Sequence, residues 1–473
     1  MVAKWESAGS AVHPRPVDQA ALDTSLRLAH PSQIELFEAI RRASGSKIDR
    51  EHVTMSMPTP RVIPPRVASP SWTMTNSSSS KPEDLRDRMV DRIRRAGFMP
   101  SERVEQAMRT VPRHLFVPAV SAADAYADRP VIVKSGPTHP LSSVSMPTVV
   151  AIMLGQLDPQ PGDNVLEIGA GAGYNAALLA ELVGPTGAVT TVDIDPDVTA
   201  HARSALAATG YDHVRVITAD GALGAPEHAP FDKIIVTVGP WDLPPAWFDQ
   251  LAVGGRLVVP LQWRGQTRSI AFTRHADHLR AADSQPCAFI PMIGLVPNGE
   301  RSADIADGVT VFWDDDQQID PGALRPAATS PGTTLWSGVA VTSYQTVDGI
   351  WLWLTVTEPN TCRLAATDEA IARGPIDPIF PAVTPAIADG DSFGYLTKTR
   401  RPSHNGQRRY ELGATGHGPR GPQLAERLVT VIRRWNLDRA AQPVVTAWPA
   451  GTRPSATGRV IPKRHTTLVL EGG

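Results

Sequence analysis

Through the middle of the chain, apolar residues run in short unbroken blocks, and the first three blocks end on glycine or a carboxylate. Val165-Leu166-Glu167-Ile168 runs into Gly169-Ala170-Gly171-Ala172-Gly173-Tyr174, Val189-Thr190-Thr191-Val192 ends on Asp193, and Val214-Arg215-Val216-Ile217 precedes Ala219-Asp220-Gly221. Runs of this length predict parallel strands buried on both faces. Residues 231–238 predict a fourth strand, and residues 251–260 predict a helix end, a Gly254-Gly255 turn and a fifth strand. Strands alternating with helical stretches in this way form an α/β sandwich, a Rossmann-like doubly wound sheet.

Such a sheet gathers its strand ends at one edge, where ligands bind. Gly169, Gly171 and Gly173 let the backbone bend sharply and approach a ligand with no Cβ in the way. Asp193, roughly 20 residues beyond the turn, is suited to accept hydrogen bonds from ribose hydroxyls. An NAD site would use the same carboxylate. The Gly-x-Gly-x-Gly spacing departs from Gly-x-Gly-x-x-Gly, however, and the acidic Glu167 favours a cationic sulfonium over a pyrophosphate. S-adenosylmethionine therefore leads over NAD. A glycine-rich turn alone is often only a tight turn, and the two carboxylate-bearing strand ends weigh against that reading.

The residues before the turn carry a resemblance. Val111-Pro112-Arg113-His114-Leu115-Phe116-Val117-Pro118, then Ala125-Tyr126-Ala127-Asp128, then Ser143-Val144-Ser145-Met146-Pro147, resemble protein L-isoaspartate O-methyltransferases over about residues 85–294. The resemblance implies an S-adenosylmethionine-dependent carboxyl methyltransferase with Ser145 as its catalytic residue. The expected cofactor contacts are Ser143, Glu167, Gly169, Ala170, Gly171, Ala172, Gly173, Asp193, Asp220 and Gly221. Ser145 also stands just before Pro147 and an apolar run, so it is placed near a helix start, where free N–H groups and the helix dipole favour a carboxylate. The plainer alternative is that Ser145 only caps that helix. Met146 stands where the family usually has Gln or Ala, which points to a reshaped substrate pocket.

The chain continues for about another domain's length. Residues 313–316, 335–341 and 349–356 read as strands, and residues 375–385 as a proline-rich loop. Residues 392–396 and 409–413 read as a strand pair joined by a basic loop that carries Lys398, Arg400 and Arg401, with Arg408 and Arg409 beside it. Leu424, Leu428, Val431, Ile432 and Trp435 fall at helical spacing, and residues 464–470 read as a closing strand. The expected division is a flexible extension over 1–80, a methyltransferase domain over 81–295 and a C-terminal α+β substrate-recognition domain over 296–473. The proline-rich and serine-rich composition of the first 80 residues predicts disorder there.

A second resemblance extends over about residues 81–470, on Gly390-Asp391-Ser392-Phe393-Gly394-Tyr395-Leu396 and Gly416-His417-Gly418-Pro419 among others. It is to methyltransferases of gene clusters for ribosomally made, modified peptides, including FxLD-type lanthipeptides. It implies a cyclised precursor peptide as partner, with an Asp methylated and then closed to an aspartimide or opened to isoAsp. General repair of isoaspartyl proteins is the alternative, and a non-catalytic module that binds cofactor or peptide is a further one.

Charge and composition narrow the remaining classes. With 46 basic and 48 acidic residues there is no positive field to attract nucleic acid. Thirteen histidines and two cysteines form no ligand pattern, so no metal is expected. No apolar run is long enough to span a bilayer and the N-terminus lacks a signal-peptide core, a profile that fits a cytoplasmic enzyme.

Overall fold

The computed structural model describes residues 81–136, 140–295, 298–342, 345–404 and 407–472, so the expected extension over 1–80 lies outside the described residues. The first helix, Pro82–Arg95, buries Met89, Val90 and Ile93 and exposes its charged face. After the helix Glu102–Thr110 comes a two-stranded antiparallel hairpin, Val131–Ser135 (β1) and Pro140–Val144 (β2). The helix Pro147–Leu157 follows it.

The parallel sheet comprises Asn164–Ile168 (β3), Ala188–Asp193 (β4), Arg215–Thr218 (β5), Phe231–Val236 (β6) and Leu251–Trp263 (β7). These strands lie in the order β5-β4-β3-β6-β7, all parallel, so the direction of winding reverses beside β3. A reversal of this kind opens a crevice at the carboxyl ends of the strands. Gln266–Arg274 (β8) and Leu279–Pro286 (β9) extend the sheet antiparallel beyond β7. The expected Gly254-Gly255 turn is instead a bulge inside β7. Phe231 pairs with Leu251 but Lys233 pairs with Arg256, and Gly254 takes φ +83° to absorb the extra residues.

A second, seven-stranded antiparallel sheet holds Glu300–Ala306 (β10), Val309–Asp314 (β11), Thr333–Thr342 (β12), Thr361–Ala366 (β13), Thr384–Asp389 (β14), Ser392–His404 (β15) and Gln407–His417 (β16). The helix Gly421–Leu437 packs Leu424, Leu428, Val431, Ile432 and Trp435 into the core over this sheet. Gly416 and Gly421 permit the close approach, since a Cβ on Gly416 would stand 1.9 Å from the Gly421 carbonyl oxygen. The basic residues expected in a loop lie on the strands themselves: Arg400 pairs with Tyr410 and Arg401 with Arg409, and the Arg401 side chain binds Glu411.

Residues 349–356, expected as a strand, belong to the helix Asp348–Thr357. The periodicity misled because the helix is buried on both sides: Leu352 enters the core of the first sheet, while Ile350, Trp353 and Leu354 enter that of the second. Trp351 and Trp353 donate in different directions, to the Arg264 and Ala441 carbonyls at 3.1 and 3.3 Å.

The last three strands also depart from expectation. Val444–Pro449 (β17), Arg459–Pro462 (β18) and Thr466–Glu471 (β19) were assigned to the C-terminal unit, but β17 pairs with β9 and β19 pairs with β17, making a ten-stranded first sheet. The segment between β18 and β19 is fixed by the buried Asp242, which accepts from the Leu243 N–H at 2.8 Å, the His465 N–H at 2.6 Å and the Thr466 hydroxyl. Among the described residues no helix is long and apolar enough to cross a membrane. Replacing Asp242 by Ala leaves buried donors without an acceptor, so Asp242→Ala should lower unfolding stability by about 1–3 kcal/mol, read by denaturant titration. A change below about 0.5 kcal/mol would mean that the terminal strands hold without it.

Candidate active site

The crevice predicted by the topology is present as an open cleft with a cavity volume of about 160 Å³, lined by residues of the β1–β2 hairpin, the glycine turn, the ends of β4 and β6, and residues 286–293. A smaller cavity of about 30 Å³ lies against the turn and includes Glu167, Tyr174 and Asn175 in its walls. Ser143, Ser145, Gly169 and Gly171 line both, Asp193 and Gly221 line the larger, and Glu167, Ala170 and Ala172 line the smaller. Gly173 and Asp220 line neither. Gly173 is the left-handed residue before the helix Tyr174–Val183, where a Cβ would meet Leu206 and Ala202. Asp220 accepts from the Ala222 N–H at 2.8 Å and the Leu295 N–H at 2.7 Å, pinning the end of the 286–295 segment.

The turn itself needs glycine at two cleft-lining places. Gly169 has φ +100°, and a Cβ there would lie 2.6 Å from the Thr237 hydroxyl; Gly171 has φ +51°. Thr237 ties the turn to the end of β6 by donating its hydroxyl to the Gly169 carbonyl at 2.7 Å. The strand-end rule that found Asp193 and Asp220 applies equally to Thr237, which the sequence reading passed over. The wall from Pro286 to Ile293 lacked any such signal, because it belongs to no motif and is held at the cleft by long-range contacts such as the pairing of Gly239 with Pro291.

Two carboxylates dominate the electrostatics. Asp193 accepts from the Gly171 and Asp195 N–H groups, each at 3.2 Å, which leaves further lone pairs for ligand hydroxyls. Burial pushes its carboxyl above the usual range, and these N–H bonds oppose the shift. Glu167 is wholly buried and accepts from Asn175 Nδ2 at 2.8 Å and Thr191 Oγ1 at 2.7 Å. Burial outweighs both bonds and pushes its carboxyl up to about 7. A turn that a Cβ would obstruct, with the Asp193 carboxylate keeping free lone pairs and the buried acid Glu167 beside it, suits an adenosyl sulfonium cofactor, which Gly169, Gly171, Asp193 and Glu167 would hold.

Ser145 faces the cleft, and among the described residues its hydroxyl makes no hydrogen bond to the protein. The helix begins two residues later, with Met146 at its cap position and no side-chain cap. The expected free helix start is corrected here: Pro147 has no N–H, and the Thr148 N–H and hydroxyl both go to the Asp128 carboxylate, at 3.0 and 2.6 Å. The first turn of this helix therefore presents fewer free N–H groups than the expectation assumed. Among the described residues no group of three or more His, Cys, Asp or Glu is placed to hold a metal ion.

A sequence profile described as protein-L-isoaspartate(D-aspartate) O-methyltransferase matches residues 84–296. A protein-L-isoaspartate O-methyltransferase of Methanopyrus kandleri is 43% identical over 211 residues, covering 44% of this chain and 91% of the relative. That of Aeropyrum pernix is 41% identical over 234 residues, covering 49% and 88%. Among solved structures, a protein-L-isoaspartate O-methyltransferase superposes with a TM-score of 0.44 at 20% identity, covering 76% of this chain and 96% of its own.

An acid titrating near neutrality beside a cationic ligand gives a signature. The folded state favours protonated Glu167, so its contribution to stability is complete below the ordinary carboxylate range and is lost as pH rises through about 7. Ionisation over that same window adds a negative charge that attracts a sulfonium, so S-adenosylmethionine should tighten about fivefold relative to S-adenosylhomocysteine between pH 6 and 8 in calorimetric titrations. Identical pH responses for the two would remove Glu167 from sulfonium recognition. Asp193→Ala should weaken both ligands by about 1–3 kcal/mol, because a ribose acceptor serves either.

Proposed function

We infer the reaction from one premise: the chain belongs to the protein-L-isoaspartate(D-aspartate) O-methyltransferase family and is an S-adenosylmethionine-dependent carboxyl methyltransferase. The observation that carries the assignment of the site is that Ser145, Gly169, Gly171 and Asp193 line one cleft. Within it, Asp193 and the glycine turn are the cofactor side, and Ser145 with Met146 is the substrate side.

The chemistry asks little of acids and bases. The cofactor supplies a methyl carbon already activated by its sulfonium, and an ionised isoaspartyl side group is already a nucleophile. What the protein contributes is alignment and exclusion of water. Ser145 is assigned to donate to one carboxylate oxygen, leaving the other directed across the cleft. Met146, Val149, Phe289 and Met292 supply apolar wall that thins the hydration of the carboxylate.

Isoaspartyl residues of proteins and peptides in general, the alternative in the sequence reading, are better supported as substrate than a cyclised precursor peptide. The matched relatives are isoaspartate methyltransferases. Among the described residues, those that line the cleft come from Pro130 to Ile293, and none comes from the C-terminal unit. Peptide maturation rests on the resemblance of residues 390–419, and the unit over 296–473 is assigned a supporting role for the cleft, with its last three strands built into the first sheet.

Two peptides of one sequence, one with isoAsp and one with Asp, test the assignment by transfer of labelled methyl and release of methanol in base. The isoAsp peptide should be methylated and the Asp peptide left unmodified; the reverse preference would overturn the substrate. Ser145→Ala should lower kcat roughly 10- to 100-fold, the worth of one hydrogen bond to a charged group. Its S-adenosylhomocysteine affinity should be unchanged.

A further inference from the structure

Arg113 is a wholly buried cation, yet no carboxylate is hydrogen-bonded to it. Its Nε donates to the Ala125 carbonyl at 2.8 Å, and its Nη2 donates to the Ser145 carbonyl at 2.8 Å and the Val144 carbonyl at 3.4 Å. The guanidinium carbon lies 4.9 Å from the centre of the Tyr174 ring. Among the described residues its Nη1 has no partner, and neither does the Tyr174 hydroxyl. Taking a cation out of water with no carboxylate bonded to it is expensive, Asp128 attracting it only at longer range, and removing it from such a place leaves carbonyls unpaired. Three residues beyond Ser145, the Asp128 carboxylate holds the N–H and hydroxyl of Thr148. The short piece of chain bearing Ser145 thus runs between a cation that fixes its carbonyls and an anion that fixes the first turn of the helix after it.

We propose that Arg113 and Asp128 are positioning residues that clamp residues 144–148 from both ends and so aim the Ser145 hydroxyl into the cleft. The inference rests on the assignment of Ser145 to the substrate side. Neither group touches the cleft itself; both act through the backbone. The geometry explains why a residue that lies outside any regular element holds one direction: β2 ends at Val144 and the helix starts at Pro147, so neither ladder nor helix bonds fix Ser145. A planar guanidinium can bond carbonyls of successive residues at once, which a lysine ammonium on a flexible stem does less rigidly.

Kinetic coupling with Ser145 separates positioning from mere structural support. Arg113→Lys should lower kcat at least tenfold with KM for the isoAsp peptide and affinity for S-adenosylhomocysteine changed less than threefold, whereas in the Ser145→Ala protein the same substitution should cost less than twofold. Thr148→Val, which deletes one bond to Asp128 while keeping the shape, provides a second arm should Arg113→Lys fail to fold: it should lower kcat a few fold, again only when Ser145 is present. Losses of equal size in both backgrounds, or an unchanged kcat in the single variants, would overturn the clamp. An unchanged kcat in Ser145→Ala alone would instead overturn the assignment of Ser145, and that comparison needs no clamp variant.

Discussion

The architecture depends on one junction, where the loop after β6 is held by the end of the chain. Asp242 binds His465 and Thr466 at the start of β19 through two donors while accepting from its neighbour Leu243, and Lys463 donates to the Trp241 and Gln262 carbonyls with its ammonium 3.7 Å from the centre of the Trp241 ring. Burial lowers the Lys463 ammonium to about 8. Two residues before Trp241, Gly239 exchanges backbone bonds with Ile290 and Met292, in the cleft wall. A cleft built from residues near the middle of the chain is thereby braced by strands that end near residue 471. Arg264, just past β7, adds a second tie by pairing with Asp314 at the end of β11 and Asp316 just beyond it. Buried pairs of this kind are poor sources of net stability but cost much to break singly, so the two sheets hold a defined relation.

That relation gives the C-terminal unit a role without a place in the cleft. The helix Asp348–Thr357 is the shared element, with one side in each core, and its all-round apolar surface is what joining two sheets requires. Among the described residues the unit over 296–473 adds no residue to the cleft lining. Met146, Val149 and the 286–293 wall line the cleft outside the glycine turn and Asp193.

What could be read from the sequence was what is encoded locally. β3, β4, β5 and β6 each announce themselves by an apolar run, and Gly169, Gly171 and Asp193 by their position at a strand end. Information spread over long separations was missed. β17 to β19 look like any short strands, and which sheet takes them is decided by pairing with β9, more than 160 residues earlier by the roughly linear count along the chain. Residues 348–357 defeat periodicity because both sides are buried. Arg113 and Asp128 stood in quoted motifs, yet their partners Ser145 and Thr148 lie 32 and 20 residues away, beyond what spacing conveys.

The chemistry explains why the polar investment sits where it does. Methyl transfer to a carboxylate needs no proton moved at the reacting atoms, so a general base in the cleft would add little. Orientation is worth far more, since holding two reactants in line recovers several kcal/mol of the barrier, and a displacement of about 1 Å forfeits much of it. The acids and the cation around the cleft follow that division: Asp193 and Glu167 are bonded to the turn and its neighbours, and Arg113 to the backbone that carries Ser145. Asp193 and Arg113 spend burial of a charged group on fixing main chain, and Glu167 fixes the side chains of Asn175 and Thr191. A buried cation at Arg113 would be a liability in a protein selected only for stability, and the proposed aiming of the Ser145 hydroxyl would give it a use.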